Sequence, residues 1–190
     1  ITEVLKETHV RFTSLAKQKG LEFTLQVPEK DFYAHVNQEA FTKIISNLLN
    51  NGMKYAESYV HVMLEIPETD DDNLFRIRTV NDGVIIPDEM KEEIFKPFVR
   101  FNEQEDGKVT TGTGIGLALS RSLAELHQGT LAMETGEESN IFCLTLPVVQ
   151  DMTITLTPEA EVEIDRVNEI PAEQAGRKDN RPTVLVVEDN

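Results

Sequence analysis

Apolar and polar positions recur along the chain with two periods, which separate helical from extended segments. Residues 2–19 repeat apolar side chains at helical spacing and end at Gly20, a residue type that commonly follows a helix. Asn37 stands at the N-cap position of a second helix over residues 38–55. The pattern thus predicts two long helices at the start of the chain.

Shorter segments with alternating apolar and polar residues predict strands, which are residues 21–27, 33–36, 59–66, 74–80, 130–135 and 141–147. The third and fourth strands form a predicted hairpin through an acidic turn, and the last two form another. Two further helices are expected, a short one with an acidic start over residues 88–95 and one over residues 114–127 that is capped at its far end by Gly129.

Two regions lack this periodicity. Residues 99–113 are polar and interrupted by glycines, and such a long loop inside a domain is usually functional or mobile. Residues 148–181 are interpreted as a solvated acidic linker, although MTITL (152–156) could form a strand. The last segment is apolar and runs into two carboxylates, like the first buried strand of a parallel sheet. The expected organisation is a domain over residues 1–147, a linker over 148–181 and a truncated strand over 182–190.

Composition narrows the function classes. The chain carries 34 acidic and 18 basic side chains, a formal net charge of -16. This balance argues against nucleic-acid binding and direct membrane contact, because both depend on clustered Lys and Arg. The single cysteine, Cys143, excludes an internal disulfide framework and a cysteine-rich zinc site, and it suits a reducing cytosol. No apolar run approaches the roughly 18 residues of a membrane-spanning helix.

One face of the second helix carries a polar group within NLLNNGMKY, residues 47–55. Asn47, Asn51, Lys54 and Tyr55 are spaced by three or four residues and therefore share roughly one face. The face could simply be solvated. It could also form the wall of a ligand site, in which amide oxygens coordinate Mg²⁺, the ammonium meets phosphate and the phenol ring stacks.

A second motif, TTGTGIGLALS, places Gly112, Gly114 and Gly116 at the start of a helix. Glycines let backbone amides approach phosphate oxygens, and a helix N-terminus adds free N–H donors. Alone the triplet is unspecific, because turns and linkers look similar. It is neither a Walker A loop, since no Gly-Lys-Ser/Thr follows, nor a convincing dinucleotide fingerprint, since no strand leads into it.

Two further motifs stand between these. VNDGVIIP, residues 80–87, follows a strand, and its Asn81-Asp82-Gly83 is a common turn sequence. Alternatively, Asn81 or Asp82 could accept a hydrogen bond from an adenine amino group. IFKPFVRF, residues 94–101, spaces three phenylalanines around Pro97, as either a hydrophobic plug at the loop base or a hinge that lets the loop close.

In order and spacing, these motifs resemble the N, G1, F and G2 boxes of the sensor histidine kinases, over about residues 1–147. The resemblance implies a Bergerat-type α/β (α+β) two-layer sandwich, with a mixed β-sheet backed by about three helices and ATP between the long helix and a mobile lid. PTVLVVEDN is similar to the start of a receiver domain, so the chain resembles a hybrid histidine kinase that is cut just inside its receiver.

The resemblance assigns roles to individual residues. Asn51 would coordinate Mg²⁺ with help from Asn47, Lys54 would contact phosphate and Tyr55 would flank the adenine. The three glycines of the G2 box would form the phosphate cradle between the lid and the helix, and Arg100 would be a candidate phosphate contact from the base of the lid. The remaining expected nucleotide contacts are Asn81, Asp82, Gly83 and Ile86 in the G1 box, and Gly112, Thr113, Gly114, Gly116 and Leu117 in the G2 box.

The implied function is that of a protein histidine kinase in two-component signal transduction. The domain would bind Mg-ATP and donate its γ-phosphoryl to a histidine on a dimerisation domain outside this chain, because none of the four histidines stands in a phosphoacceptor motif. Its expected partners are ATP and the dimerisation and receiver domains of the same parent. The resemblance implies a cytoplasmic domain whose parent can be anchored in the inner membrane.

Two alternatives stay open. Related ATPases, such as heat-shock-90 chaperones, place a water-activating Glu where this chain has Asn47, so hydrolysis is not favoured here. The second alternative is a degenerate, pseudokinase-like binding or docking module without phosphotransfer. It is suggested by Asn81 for the usual Asp, by Ile85 for the usual glycine and by Ser139-Asn140 before the last strand.

Overall fold

The computed structural model describes residues 1–66, 73–101, 113–136 and 138–149. Three α-helices and five strands follow one another within these described residues. They are α1 (Thr2–Lys19), β1 (Glu22–Gln26), α2 (Gln38–Tyr55), β2 (Tyr59–Glu65), β3 (Leu74–Asn81), α3 (Gly116–Leu126), β4 (Thr130–Thr135) and β5 (Asn140–Pro147). The predicted helices over residues 2–19, 38–55 and 114–127 and five of the six predicted strands are therefore confirmed, with ends that lie within two residues of the predicted ones.

The strands form one mixed sheet in the order β1-β2-β3-β5-β4. β1 runs parallel to β2, whereas the pairs β2–β3, β3–β5 and β4–β5 are antiparallel, so both predicted hairpins are present. Alternate side chains of β2 and β3 are buried, as are most side chains of β5. All three helices contact the sheet, and α1 and α3 also contact α2. The predicted mixed sheet backed by helices is confirmed.

Local sequence explains how the long helices begin and end. Gly20 takes the left-handed conformation with φ 72°, and its N–H donates to carbonyls of the last turn of α1. The Asn37 side chain accepts the N–H of Ala40 at 3.0 Å, which satisfies one of the unpaired donors of α2. Every third or fourth residue of α2 is buried, so its opposite face is left for polar side chains.

Two predicted elements are wrong. Residues 33–36 form no strand; only a single bridge joins His35 to Val149, next to the end of β5. Residues 88–95 form two short 3₁₀ turns, Asp88–Met90 and Glu93–Phe95, instead of an α-helix. Eight residues gain too few helical hydrogen bonds to offset the cost of nucleation, whereas two turns suffice to bury Ile94 and Phe95.

The cap of α3 also differs from the prediction. The helix ends at Leu126 with His127 as its C-cap, and the left-handed residue is Gln128, with φ 57°, instead of Gly129. Gly129 is required for another reason, because a Cβ at this position would overlap the carbonyl oxygen of Thr145 in β5. The glycine therefore permits close approach of the turn to the sheet.

Some predictions fall outside the described residues. These are Gly112, most of the predicted loop, and residues 150–190, which include most of the predicted linker and the terminal strand. Within the described part of the chain, no helix is long and apolar enough to cross a membrane.

Candidate functional site

A cleft of about 340 Å³ runs along the polar face of α2. Most of the residues that the motifs singled out line it together, namely Asn47, Asn51, Lys54, Tyr55, Asn81, Ile86, Arg100, Thr113, Gly114, Gly116 and Leu117. Asp82 and Gly83 do not line it, and Gly112 lies outside the described residues. The polar face of α2 is therefore the wall of a concave site.

Asn47 ties the cleft wall to the start of α3. Its side-chain nitrogen donates to the carbonyl of Gly116 at 3.3 Å and to the hydroxyl of Ser120 at 3.1 Å. Both amide hydrogens are thereby used, and Ser120 is fully buried. Since the nitrogen faces α3, the Asn47 amide orientation is fixed and its oxygen is left to accept from elsewhere.

Lys54 and Tyr55 form a pair at the other end of α2. The Lys54 ammonium donates to the Tyr55 hydroxyl at 2.9 Å and lies 4.7 Å from the centre of its ring. This contact holds a positive charge at the mouth of the cleft, in a chain whose net charge is -16. The local charge therefore opposes that of the protein as a whole.

A buried asparagine pair closes the cleft beneath Tyr55. Asn81 and Asn140 face each other across β3 and β5 and are 2% and 3% exposed. The Asn81 Oδ1 accepts the N–H of Gly83 at 3.2 Å. The Asn140 Oδ1 accepts the N–H of Ile86 at 2.9 Å, and its Nδ2 donates to the carbonyls of Gly83 and Val84 at 3.2 and 3.0 Å. The two amides together fix the loop of residues 83–86 that forms the cleft edge.

Asp82, although not in the cleft, anchors the same loop from behind. Its carboxylate accepts the hydroxyl and the N–H of Ser58 and the N–H groups of the two flanking residues. Burial, the largest single influence, raises the pKa of Asp82, but these hydrogen bonds together lower it to about 2. Asp82 therefore joins the G1 loop to the turn that follows α2.

The ends of the predicted lid meet at Phe98 and Gly114. Both have positive φ, at 66° and 70°, and the N–H of Phe98 donates to the Gly114 carbonyl at 3.0 Å. A Cβ on Gly114 would lie 3.0 Å from the Phe98 Cα, so the glycine allows this contact. Phe98 is 75% exposed, whereas Phe95 is buried and Phe101 lines the cleft, so only the latter two fit the predicted hydrophobic plug.

Sequence reasoning did not select several residues of the cleft as site residues, which are Asn50, Val84, Ile94, Val99, Phe101, Asn140 and Phe142. Most of them are apolar and resemble ordinary core residues in the sequence. Asn140 stood out only as a departure from a family pattern, although a polar residue that opens an apolar strand is itself a signal. Within the described residues, no cluster of three or more His, Cys, Asp or Glu could hold a metal ion by itself.

The cleft spans α2 from Asn47 to Tyr55, nine residues, which corresponds to a rise of about 12 Å at 1.5 Å per residue. Its Asn47 end meets the start of α3 and glycine backbone, and its Tyr55 end is lined by apolar side chains around Asn81. Chemically, it can hold an elongated ligand that is polar at one end and flat and apolar at the other.

Comparison with known proteins agrees with this geometry. The chain is 28% identical over 150 residues to the sensor histidine kinase WalK of Bacillus subtilis, which covers 75% of this chain and 24% of WalK. It is 27% identical over 207 residues to histidine kinase P4 of Formosa agariphila, which covers 100% of this chain and 15% of that protein. The chain thus spans a quarter or less of the length of these relatives.

A solved structure shows the same fold. The catalytic domain of histidine kinase ThkA superimposes with a TM-score of 0.66 at 22% identity, covering 79% of this chain and 94% of that one. The predicted Bergerat-type α/β fold is therefore confirmed. Residues 36–150 match the family described as histidine kinase-, DNA gyrase B-, and HSP90-like ATPase. Because this match covers more than half of its 190 residues, the chain belongs to that ATPase family.

Proposed function

We propose that the chain is the ATP-binding catalytic domain of a hybrid sensor histidine kinase, which binds Mg-ATP and donates the γ-phosphoryl to a histidine on a dimerisation domain. The observation that carries the proposal is the polarity of the cleft along α2, from glycine backbone and the amide oxygen at Asn47 to apolar side chains around Asn81. A nucleoside triphosphate has the same polarity, with charged phosphates at one end and a flat base at the other.

The start of α3 supports the phosphate end of this proposal. Ile115 precedes the helix and provides no side-chain cap, so the first N–H groups of α3 have no side-chain acceptor at the cap. Free N–H groups at a helix N-terminus attract anions, and the adjoining Gly114 brings more backbone close to the cleft. Lys54 adds a positive charge farther along the same wall.

The amide residues of α2 fit Mg²⁺. Among the described residues, the Asn51 side chain has no hydrogen-bond partner, and Asn47 uses only its nitrogen. Both can thus offer oxygens, which suits an ion that binds few protein ligands and completes its shell with phosphates and water. When bound there, Mg²⁺ would neutralise phosphate charge. The protein's own contribution is to orient the phosphates through the start of α3 and Lys54.

Asn47 favours transfer over hydrolysis. The family's ATPases carry a Glu at this position, and a carboxylate can take a proton from water whereas an amide cannot. Asn47→Glu is expected to raise steady phosphate release from ATP, whereas Asn47→Gln is not. Rapid multiple-turnover release by the unmodified chain, abolished by Asn51→Ala, would instead support a chaperone-type ATPase.

The remaining parts of the proposal concern the parent protein. The similarity to histidine kinase P4 extends over this whole chain, including residues 148–190. The proposal of a linker and a receiver after the catalytic domain rests on the resemblance of PTVLVVEDN to the start of a receiver. One solved relative is histidine kinase ThkA in complex with response regulator TrrA. By analogy, we infer that this domain works with a dimerisation and a receiver partner in the cytoplasm, wherever the parent is anchored.

Labelling tests the proposed phosphotransfer. The parent protein, which includes the upstream histidine-bearing segment, is incubated with γ-labelled Mg-ATP, and acid-labile, base-stable label is counted. Label should accumulate, and Asn51→Ala should abolish it. Asn73→Ala is the matched control, because Asn73 is exposed at the start of β3, away from the cleft. A parent that binds ATP without acquiring label would instead be the degenerate module.

A further inference from the structure

The orientation of the Asn81 amide determines what this residue offers to a ligand. Its Oδ1 accepts the N–H of Gly83 at 3.2 Å, and reversing the amide would place Nδ2 against that same N–H, donor to donor. Among the described residues, the Asn81 side chain has no other hydrogen-bond partner. Its Nδ2 is not one of the fully buried atoms that lack a partner, so it keeps some exposure. Since Asn81 lines the cleft, a ligand there meets an N–H donor.

The opposite asparagine cannot take over this role. Asn140 uses both hydrogens of Nδ2 on the carbonyls of Gly83 and Val84, and its Oδ1 accepts from Ile86. Its amide is therefore occupied by the cleft edge itself. Of the two buried asparagines, only Asn81 has a donor left for a ligand, together with the second lone pair of its Oδ1.

Purine edges differ in what they need from such a group. Adenine presents an amino donor at position 6, whereas guanine presents an oxygen acceptor there. A carboxylate only accepts, so it pairs with the 6-amino edge and repels the 6-oxo edge. An amide can donate through Nδ2 and accept through Oδ1, so it can meet either edge without leaving a buried polar atom unpaired.

We propose that Asn81 makes the base end of the cleft permissive, so that 6-oxo-purine nucleotides bind nearly as well as 6-amino-purine nucleotides. This inference rests on the proposed function, because it assumes that a nucleotide lies along α2 with its base at Asn81. The inference adds a determinant of base selectivity, which is the Nδ2 donor of the Asn81 side chain. The family resemblance alone implies adenine.

Competition binding tests this proposal on the full chain. Mg-ATP, Mg-GTP and Mg-ITP displace a fluorescent purine nucleotide, and UTP measures binding without a purine. For the unmodified chain, the Kd values of GTP and ITP are expected to lie within about tenfold of that of ATP. Asn81→Asp is expected to widen the gap by about 10- to 100-fold, since a carboxylate would then face the 6-oxo group.

Asn50→Asp is the matched control, because it makes the same change at an exposed position of the same cleft. It should weaken all purine nucleotides by a similar factor and leave their ratio unchanged within about twofold, since phosphate repulsion is independent of the base.

Each outcome of this experiment has a distinct meaning. A chain that binds ATP but binds GTP and ITP more than about tenfold more weakly overturns the inference and leaves the proposed function standing. An equal ratio in the unmodified chain and Asn81→Asp overturns Asn81 as the determinant. If no nucleotide binds, the proposed function fails first. If circular dichroism shows that Asn81→Asp does not fold, the ratio of the GTP and ITP Kd values to the ATP Kd in the unmodified chain still decides whether the site is permissive for 6-oxo-purines.

Discussion

The backbone carbonyl oxygen of Tyr55 lies so close to Gly83 that a Cβ on Gly83 would overlap it. This contact packs the G1 loop directly onto the last residue of α2. The loop therefore has its position set by backbone packing as well as by the side chains of Asn81, Asp82 and Asn140. The Asn81 end of the cleft is consequently held by both backbone and side-chain contacts.

Gly83→Ala is expected to cost about 3 kcal/mol of unfolding free energy and to weaken nucleotide binding, because the backbone at Tyr55 cannot yield as a flexible side chain would. Urea unfolding and calorimetry measure the two effects. Gly20→Ala is the control: Gly20 has φ 72° but nothing within 4 Å of an added Cβ, so only backbone strain of about 1 kcal/mol is expected. Equal losses in both variants would contradict the packing explanation.

Because the pKa of Asp82 is lowered in the folded state, we expect the free energy of unfolding to depend on pH. Because hydrogen bonds lower its pKa from 3.8 to about 2 in the folded state, its contribution is fully present above about pH 4 and is lost as the pH falls towards 2. Allowing for solvent screening, we expect Asp82→Asn to cost about 1 kcal/mol near neutral pH. Urea unfolding should show the difference between the two chains shrinking below about pH 4 and disappearing as the pH approaches 2. A difference that is undiminished near pH 2 would be inconsistent with this role.

Arg121 of α3 anchors the turn at Phe95, whose neighbour Ile94 and ring partner Phe142 line the cleft. Its guanidinium lies 4.0 Å from the centre of the Phe95 ring, donates to the Leu131 carbonyl at 3.1 Å and pairs with Glu92. Arg121→Met should lower the unfolding free energy by about 1–2 kcal/mol, and Arg121→Lys should restore little, because an ammonium lacks the planar stacking group.

The Glu92→Gln variant separates the contribution of the Arg121–Glu92 ion pair from that of the contact between Arg121 and the Phe95 ring. The Glu92 side chain is 75% exposed, so its ion pair is screened by solvent and its loss should shift the unfolding midpoint much less than Arg121→Met does. If the Glu92 variant proves as destabilising as the Arg121 variant, the ion pair with Glu92 would anchor the Phe95 turn, and the stacking of Arg121 on the Phe95 ring would not.

The sequence was sufficient wherever the determining interactions are local. The cap at Asn37, the turn at Gly20 and the spacing from Asn47 to Tyr55 involve residues within one or two helical turns, so α2 and its polar face could be predicted. The helical pattern also determines which side chains share a face, so the residues of α2 that line the cleft could be predicted.

The sequence was insufficient where contacts join distant segments. Asn140 acts on residues 54 to 57 positions earlier in the chain, and Asp82 acts on a turn 23 to 25 positions earlier. Neither partner set is visible in a local pattern. The segment 88–95 was mistaken for an α-helix for a related reason, because its two turns are held by burial of Ile94 and Phe95 and not by helical periodicity.

The most direct test is calorimetric titration of ATP into the 190-residue chain, into Asn51→Ala and into Asn73→Ala. Each titration is carried out once with Mg²⁺ present and once with Mg²⁺ removed. We expect the unmodified chain and Asn73→Ala to bind one ATP, and Asn51→Ala to bind about tenfold or more weakly, with this difference vanishing when Mg²⁺ is removed. No saturable binding at millimolar ATP, or equal affinity in all three chains with Mg²⁺, would contradict a nucleotide site along α2.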